Sequence, residues 1–278
     1  MFITKHFDLP DQKIAYAEAG VESDATPVIL LHGGAVDHRM WRPQMSAFEG
    51  RRVIAPDARG HGESSDAAAA YRLTDDLKAL LDALEVERGV LVGLSMGGGT
   101  AVDAALEHPE RVAALVVSGC GTSEPDFIDP WSLDIFARWQ SAEQHGDLEA
   151  WIEAFMAFTT GPGRTRDDVD ASVYRLVEAM ARETIANHLR LGPAGVPIPP
   201  TPPTPVTETW ERLPTIRVPA LALCGTDDGT DHLRMTRRLA EETPRGEFRA
   251  LPGAHYPNLE APGAFNDVVR DFLSRHAL

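Results

Sequence analysis

Cysteine, positive charge and long apolar runs are all scarce in this chain of 278 residues. Its two cysteines, Cys120 and Cys224, are too few for a disulfide framework, which excludes a small cross-linked scaffold. Each closes an apolar run ("LVVSGC", "LALC") and reads as a small buried residue; a bridge between the two stays open. Lysine and arginine total 26 against 42 aspartates and glutamates, a net charge of −16, and no basic run breaks that balance. A surface of this sign repels polynucleotides and anionic membranes, so no nucleic-acid or membrane partner is expected. No stretch of 18 apolar residues is present, so no membrane span is expected. The opening "MFITKHFDLP" has no basic segment leading into an apolar one, and a cytoplasmic protein is the default expectation. Missing too are histidines at metal-ligand spacing and a G-x-G-x-x-G following a strand. Neither a metal nor any other cofactor is expected.

What the chain does contain is an alternation. Residues 2–7 and 13–19 alternate apolar and polar side chains, as a hairpin does. "PVILLHGG" is an apolar strand entering glycines. "MWRPQMSAFEG" is expected as a helix capped by Asp37, and "RRVIAPDARGHGES" as a strand entering a loop. "TDDLKALLDALEV" puts Leu77, Leu80, Leu81 and Leu84 on one helical face, with Thr74 as the expected cap. "VLVG", a helix and "VAALVVSGC" follow. Strands spaced by helices give a mostly parallel sheet covered on both faces.

The alternation stops at about residue 122. From there to residue 214 helical segments follow one another without a strand, ending in seven prolines between Pro193 and Pro205. So proline-rich a stretch has few amides to offer a ladder and favours an extended chain. It is expected as a stiff linker in preference to one wall of a site. After it, "VPALALCG", "DHLRMTRRLAEETP", "GEFRALPG" and "PGAFNDVVRDFLSRH" restore strand and helix in turn. The expected organisation is a core domain of residues 1–121 and 215–278, interrupted after its sixth strand by a helical unit of residues 122–214.

One strand ends unusually. In "VLVGLSMGGGT" an apolar run breaks into glycines around a single serine, Ser95, with Gly93 and Gly97 two residues to either side. A sharp strand-to-helix turn strains its central residue and brings its flanking neighbours too close for side chains. The same strain lifts the serine oxygen above the sheet edge, at a helix N-terminus. Open sheets of this kind carry their chemistry on loops at the carboxyl ends of strands. Those ends hold, in chain order, His32-Gly33-Gly34, Ser95, Asp227-Asp228 and His255. A serine, an acid and a histidine are the parts of a nucleophilic relay: the imidazole takes the serine proton, and the carboxylate fixes its tautomer.

With "LLHGG", "PDARGHGESS", "GLSMGGG", "GTDD" and "LPGAHYPNLEAP" in this order, the chain resembles the α/β-hydrolase fold superfamily over most of its length outside residues 122–214. The resemblance implies Ser95 as nucleophile and His255 as general base. It implies Asp228 as the acid, three residues beyond Gly225, with Asp227 and Glu124 as alternatives and Asp231 as a helix cap. The oxyanion would be met by the backbone N–H groups of Gly34 and Met96. His32 and His61 would brace loops and His38 would lie at a helix start on the surface. The helical insertion would be a lid, and its Trp139, Trp151 and Phe155 would line a substrate pocket.

Serine at the nucleophile position points to acyl transfer, and the motifs look most like the carboxylesterase and enol-lactonase branch. The expected function is a serine hydrolase cleaving an ester or lactone of a small, largely apolar molecule. The alternatives are a small-molecule binding or signalling member of the fold, a carbon–carbon bond hydrolase, and a cofactor-free perhydrolase. The carbon–carbon hydrolases usually carry tryptophan after the catalytic histidine, where this chain has Tyr256.

Overall fold

The computed structural model describes residues 4–9, 12–20, 23–192, 197–198 and 200–278. Residues 2 and 3 of the expected first strand, and residues 193–196 and 199 of the proline-rich segment, lie outside them. Along the chain come β1 (Thr4–Leu9), β2 (Gln12–Ala19), β3 (Val28–Leu31), β4 (Val53–Pro56), α1 (Leu73–Ala83), β5 (Gly89–Leu94), α2 (Met96–Glu107) and β6 (Val112–Ser118). Helices α3 (Pro130–His145), α4 (Leu148–Thr160) and α5 (Ala171–His188) follow, then a two-residue ladder of β7 (Arg190–Leu191) with β8 (Pro197–Ile198), and α6 (Thr209–Arg212). The chain ends with β9 (Ala220–Gly225), α7 (Thr230–Glu242), β10 (Gly246–Leu251), α8 (Pro257–Glu260) and α9 (Pro262–Arg275).

Eight strands form one sheet in the order β1-β2-β4-β3-β5-β6-β9-β10. The β1–β2 hairpin and the β2–β4 pair are antiparallel; every pair from β4 to β10 is parallel. The period of two along each strand divides the core between two faces. Val28, Leu30, Val90, Val92, Leu221 and Leu223 pack with α9 and with apolar residues of α4 and α5. Ile29, Leu31, Leu91, Leu115, Ala220 and Ala222 pack with α1, α2 and α7. Both cysteines are free and buried.

Three local expectations are corrected. Residues 38–49 form only a short 3-10 helix, His38–Trp41, followed by turns. Asp37 does cap it, accepting the Arg39 N–H at 2.9 Å, but Pro43 has no amide with which to continue a helix. Helix α1 begins one residue before Thr74, which lies buried in the first turn and caps nothing. The stretch between β6 and β9 is not free of strands, though β7 and β8 are too short for any apolar period to register.

Candidate active site

Ser95 joins β5 to α2 with φ 53° and ψ −116°, a left-handed conformation rare outside glycine. A Cβ at position 93 would overlap the Gly97 carbonyl, and one at 97 would overlap the Leu31 carbonyl. The two flanking glycines are what allow the turn to close between the strands.

The opposing loop is held by two imidazoles. His32 Nε2 accepts the Ala58 N–H at 2.9 Å, and His61 Nε2 accepts the Ala35 N–H at 3.1 Å. Their rings lie 5.0 Å apart, and burial pushes His61 down to about 4, leaving it a neutral acceptor at ordinary pH. This bracing sets Gly33 against the serine: a Cβ on Gly33 would stand 3.6 Å from that of Ser95. Gly34 and Met96 border the same cavity as Ser95. His38 is not on the cavity; it is largely buried and hydrogen-bonds Asp57 at 2.9 Å instead of lying on the surface.

Asp228 and His255 arrive from the loops after β9 and β10, which pair in parallel. His255 Nδ1 lies 2.9 Å from Asp228 Oδ2, with both side chains buried. Asp228 Oδ1 accepts the Gly229 N–H at 2.8 Å. Asp227 instead turns outward toward Arg164, 3.8 Å away, and Glu124 accepts the N–H and hydroxyl of Thr209, each at 2.7 Å. Neither alternative acid meets His255. Asp231 does not cap α7, whose N-cap is Gly229; its carboxylate accepts the N–H groups of Ile128 and Asp129 and so anchors the approach to α3.

A residue the sequence reading passed over is His232. Its Nδ1 lies 3.0 Å from Asp228 Oδ1, at an angle outside hydrogen-bond geometry, and its ring is 4.6 Å from that of His255. Burial alone would raise the Asp228 pKa, but the adjacent imidazoles of His232 and His255 hold it well below the usual carboxylate range. Burial opposes charge on His232, and the Asp228 carboxylate outweighs it and raises that imidazole. The i, i+4 spacing of Asp228 and His232 was the available signal. These three side chains, and separately Asp37, His38 and Asp57, bring metal-ligand atoms within 4.8 Å of one another. In both groups the carboxylates are already engaged by protein donors, His255 and Gly229 in one, Arg39 and His38 in the other.

Ser95 and His255 open on a cavity of about 390 Å³. Phe136 and Trp139 of α3, Phe155 and Phe158 of α4, and Phe127 form its aromatic wall. Trp151 is not on that wall. It stacks behind Phe155 at 5.6 Å, meets Trp139 of α3 edge-on at 4.8 Å and donates to Glu143 of α3. Residues 203–206 do border the cavity, so the proline-rich segment supplies a wall as well as a link.

The alpha/beta hydrolase fold family matches residues 26–262. The chain belongs to that family. This alpha/beta hydrolase is 34% identical, over 93% of its length and 94% of the relative's, to the putative carbamate hydrolase RutD of Caulobacter sp. (strain K31). It is 29% identical to the 2-hydroxy-6-oxononadienedioate/2-hydroxy-6-oxononatrienedioate hydrolase of Paraburkholderia phymatum, covering 95% of this chain and 91% of that one. Among solved structures, Est816, described as an N-acyl homoserine lactone degrading enzyme, superposes with a TM-score of 0.73 at 27% identity, covering 96% of this chain and all of its own. Hydrolysis is what these relatives share. Among the described residues no helix is long and apolar enough to cross a membrane.

Proposed function

We propose that this alpha/beta hydrolase cleaves a carboxylic ester or lactone of a small, largely apolar molecule through an acyl-enzyme on Ser95. One observation carries the reading: a serine held at a left-handed strand-to-helix turn shares a cavity with an imidazole whose far nitrogen is 2.9 Å from a buried carboxylate. In the first step Ser95 Oγ attacks the carbonyl carbon and His255 Nε2 takes its proton. The Nδ1–H of His255 keeps donating to Asp228, whose carboxylate stabilises the imidazolium as it forms. The carbonyl oxygen, now negative, is met by the N–H groups of Gly34 and Met96, the latter at the N-terminus of α2. The leaving alcohol takes the proton from His255. Water then attacks the acyl-enzyme, giving a proton to His255, which passes it to Ser95 Oγ as the bond to serine breaks and the acid is released. Helices α3 to α5 act as the lid, their aromatic wall receiving the apolar part of the substrate.

Hydrolysis of a dicarboxylate, as in the second relative's name, is less well supported. No arginine or lysine borders the cavity among the described residues, so a pair of carboxylates would find no counter-charge. The test combines labelling with a fluorophosphonate and turnover of esters graded in chain length. Labelling and hydrolysis are both expected, and Ser95→Ala is expected to abolish labelling and cut turnover by at least about three orders of magnitude. A protein that binds such esters without labelling or turnover is a binding member of the fold, and the proposal fails.

A further inference from the structure

The cavity does not stop at Ser95 and His255. Met96, Gly99, Thr100 and Asp103 of α2 line it in succession, at the spacing of one helix face. At 1.5 Å per residue, Asp103 stands about 10 Å beyond Met96. Leu73 and Thr74 of α1 and residues 203–206 also border the cavity. Those two segments meet where the Thr204 N–H donates to the Tyr71 carbonyl at 2.7 Å.

Among the described residues this stretch of the wall carries one carboxylate and no lysine or arginine. Asp103 is only 8% exposed. Its Oδ1 accepts the Ser123 hydroxyl at 2.7 Å, and among the described residues no hydrogen bond reaches its Oδ2. Thr74 borders the cavity as well, but its hydroxyl is sealed off from it and has no hydrogen-bond partner among the described residues. A carboxylate oxygen held on a largely buried cavity wall without a donor is costly to leave unpaired. The charged groups around Asp103 are Glu124, Glu107 and Arg72, with the Cys120 thiol beneath it. Arg72 is already committed to Glu107 at 3.0 Å. Burial, followed by the repulsion of Glu124 and Glu107, pushes Asp103 up to about 7 even though the Ser123 hydrogen bond opposes the shift.

We propose that Asp103 forms a subsite for a hydrogen-bond-donating group, a hydroxyl or an ammonium, carried by the substrate about 10 Å from the scissile carbonyl, and that the same subsite rejects carboxylates. A hydroxyl donates to Asp103 and pairs its free oxygen. An ammonium draws Asp103 into its ionised form and forms an ion pair out of water. A carboxylate brings a second negative charge beside Asp103 with no cation to balance it, so rejection comes from the desolvated mismatch. The inference rests on the ester-hydrolase reading and adds the substrate class.

The experiment uses four esters of one chain length, ending in methyl, hydroxyl, ammonium or carboxylate, together with an acetate ester. Each kcat/KM is taken as a ratio to that of the methyl-ended ester. In the wild-type protein the hydroxyl and ammonium ratios are expected above one, by about tenfold, and the carboxylate ratio below one by at least as much. Asp103→Leu is expected to bring the hydroxyl and ammonium ratios to one or below. Asp103→Asn is expected to abolish the ammonium preference and keep part of the hydroxyl preference. A carboxylate-ended ester that is cleaved best, or an Asp103→Leu protein that folds by circular dichroism and keeps the wild-type ranking, overturns the proposal. If the variants do not fold, the wild-type pH dependence decides. The ammonium ratio should climb as pH rises through about 7 while the hydroxyl ratio does not, and a flat ammonium ratio overturns the subsite. If no ester is cleaved, acetate included, the hydrolase reading has failed. The subsite is then tested alone by calorimetry with hexylamine and hexanoate. Binding of the amine and not the acid supports it, and equal or inverted binding overturns it.

Discussion

Two adjacent aspartates on the loop after β9 have opposite fates: Asp227 reaches solvent and Arg164, while Asp228 is buried between two imidazoles. Their contribution to turnover should differ as sharply. Asp228→Asn leaves an amide that holds the wrong imidazole tautomer and should cost on the order of 10⁴ in kcat, as in other triads. Asp227→Asn and Glu124→Gln, measured on the same ester, should cost less than about tenfold, since neither side chain meets His255. Asp103 gives a pH signature at the same scale. Its pKa is raised in the folded protein, so the folded state is favoured while Asp103 is protonated. That advantage is lost as pH rises from the ordinary carboxylate value toward about 7. Asp103→Asn should therefore gain melting temperature relative to wild type between pH 4 and 7 and hold a constant gain above that, equivalent to on the order of a few kcal/mol. A melting-temperature difference independent of pH would contradict it. Ser95, Asp228 and His255 were legible in the sequence because each follows an apolar run at a strand end. His232 and Asp103 were not, because a lone histidine or aspartate on a helix has no pattern until its neighbours in space are known.

At the scale of elements, the elbow and the proposed lid behave differently. Gly97→Ala has no room to relax, because the overlap is with backbone on β3. It should cost on the order of 3 kcal/mol and lower activity in proportion to the displaced turn, read by urea unfolding alongside turnover. The two lid tryptophans should separate. Trp139→Ala opens the aromatic wall and should move the preferred chain length without abolishing hydrolysis of a minimal ester. Trp151→Ala removes packing behind Phe155 and should lower stability by about 1–3 kcal/mol while leaving the ester ranking as it was. Helices α3, α4 and α5 were legible as successive helical segments, while their caps Asp129, Asp147 and Asp170 emerge only from the structure. Which aromatic faces the cavity was not, since both tryptophans sit on the same amphipathic pair and only the packing of α4 on α3 decides it. The proline-rich segment misled for a related reason: composition shows that a stretch is stiff and says nothing of what it lies against.

Across the whole molecule, the parallel sheet is laid down from its centre outward, and β9 and β10 are added to the free edge of β6 after the long helical excursion. A chain ending at residue 214 would leave that edge of β6 unpaired along a strand that is apolar from Val112 to Val117. Expressed alone, it should aggregate, and a soluble, cooperatively melting fragment would show that the sheet does not depend on its last two strands. The sheet order also imposes a schedule. Ser95 leaves the ribosome 160 residues before His255. At common rates of synthesis that interval is about 8 to 30 s. Throughout it the nascent chain carries a serine with neither acid nor base beside it. With the roles proposed for Ser95, Asp228 and His255, the newborn chain would stay inert until its final strand docks, and the cell would meet no half-made hydrolase.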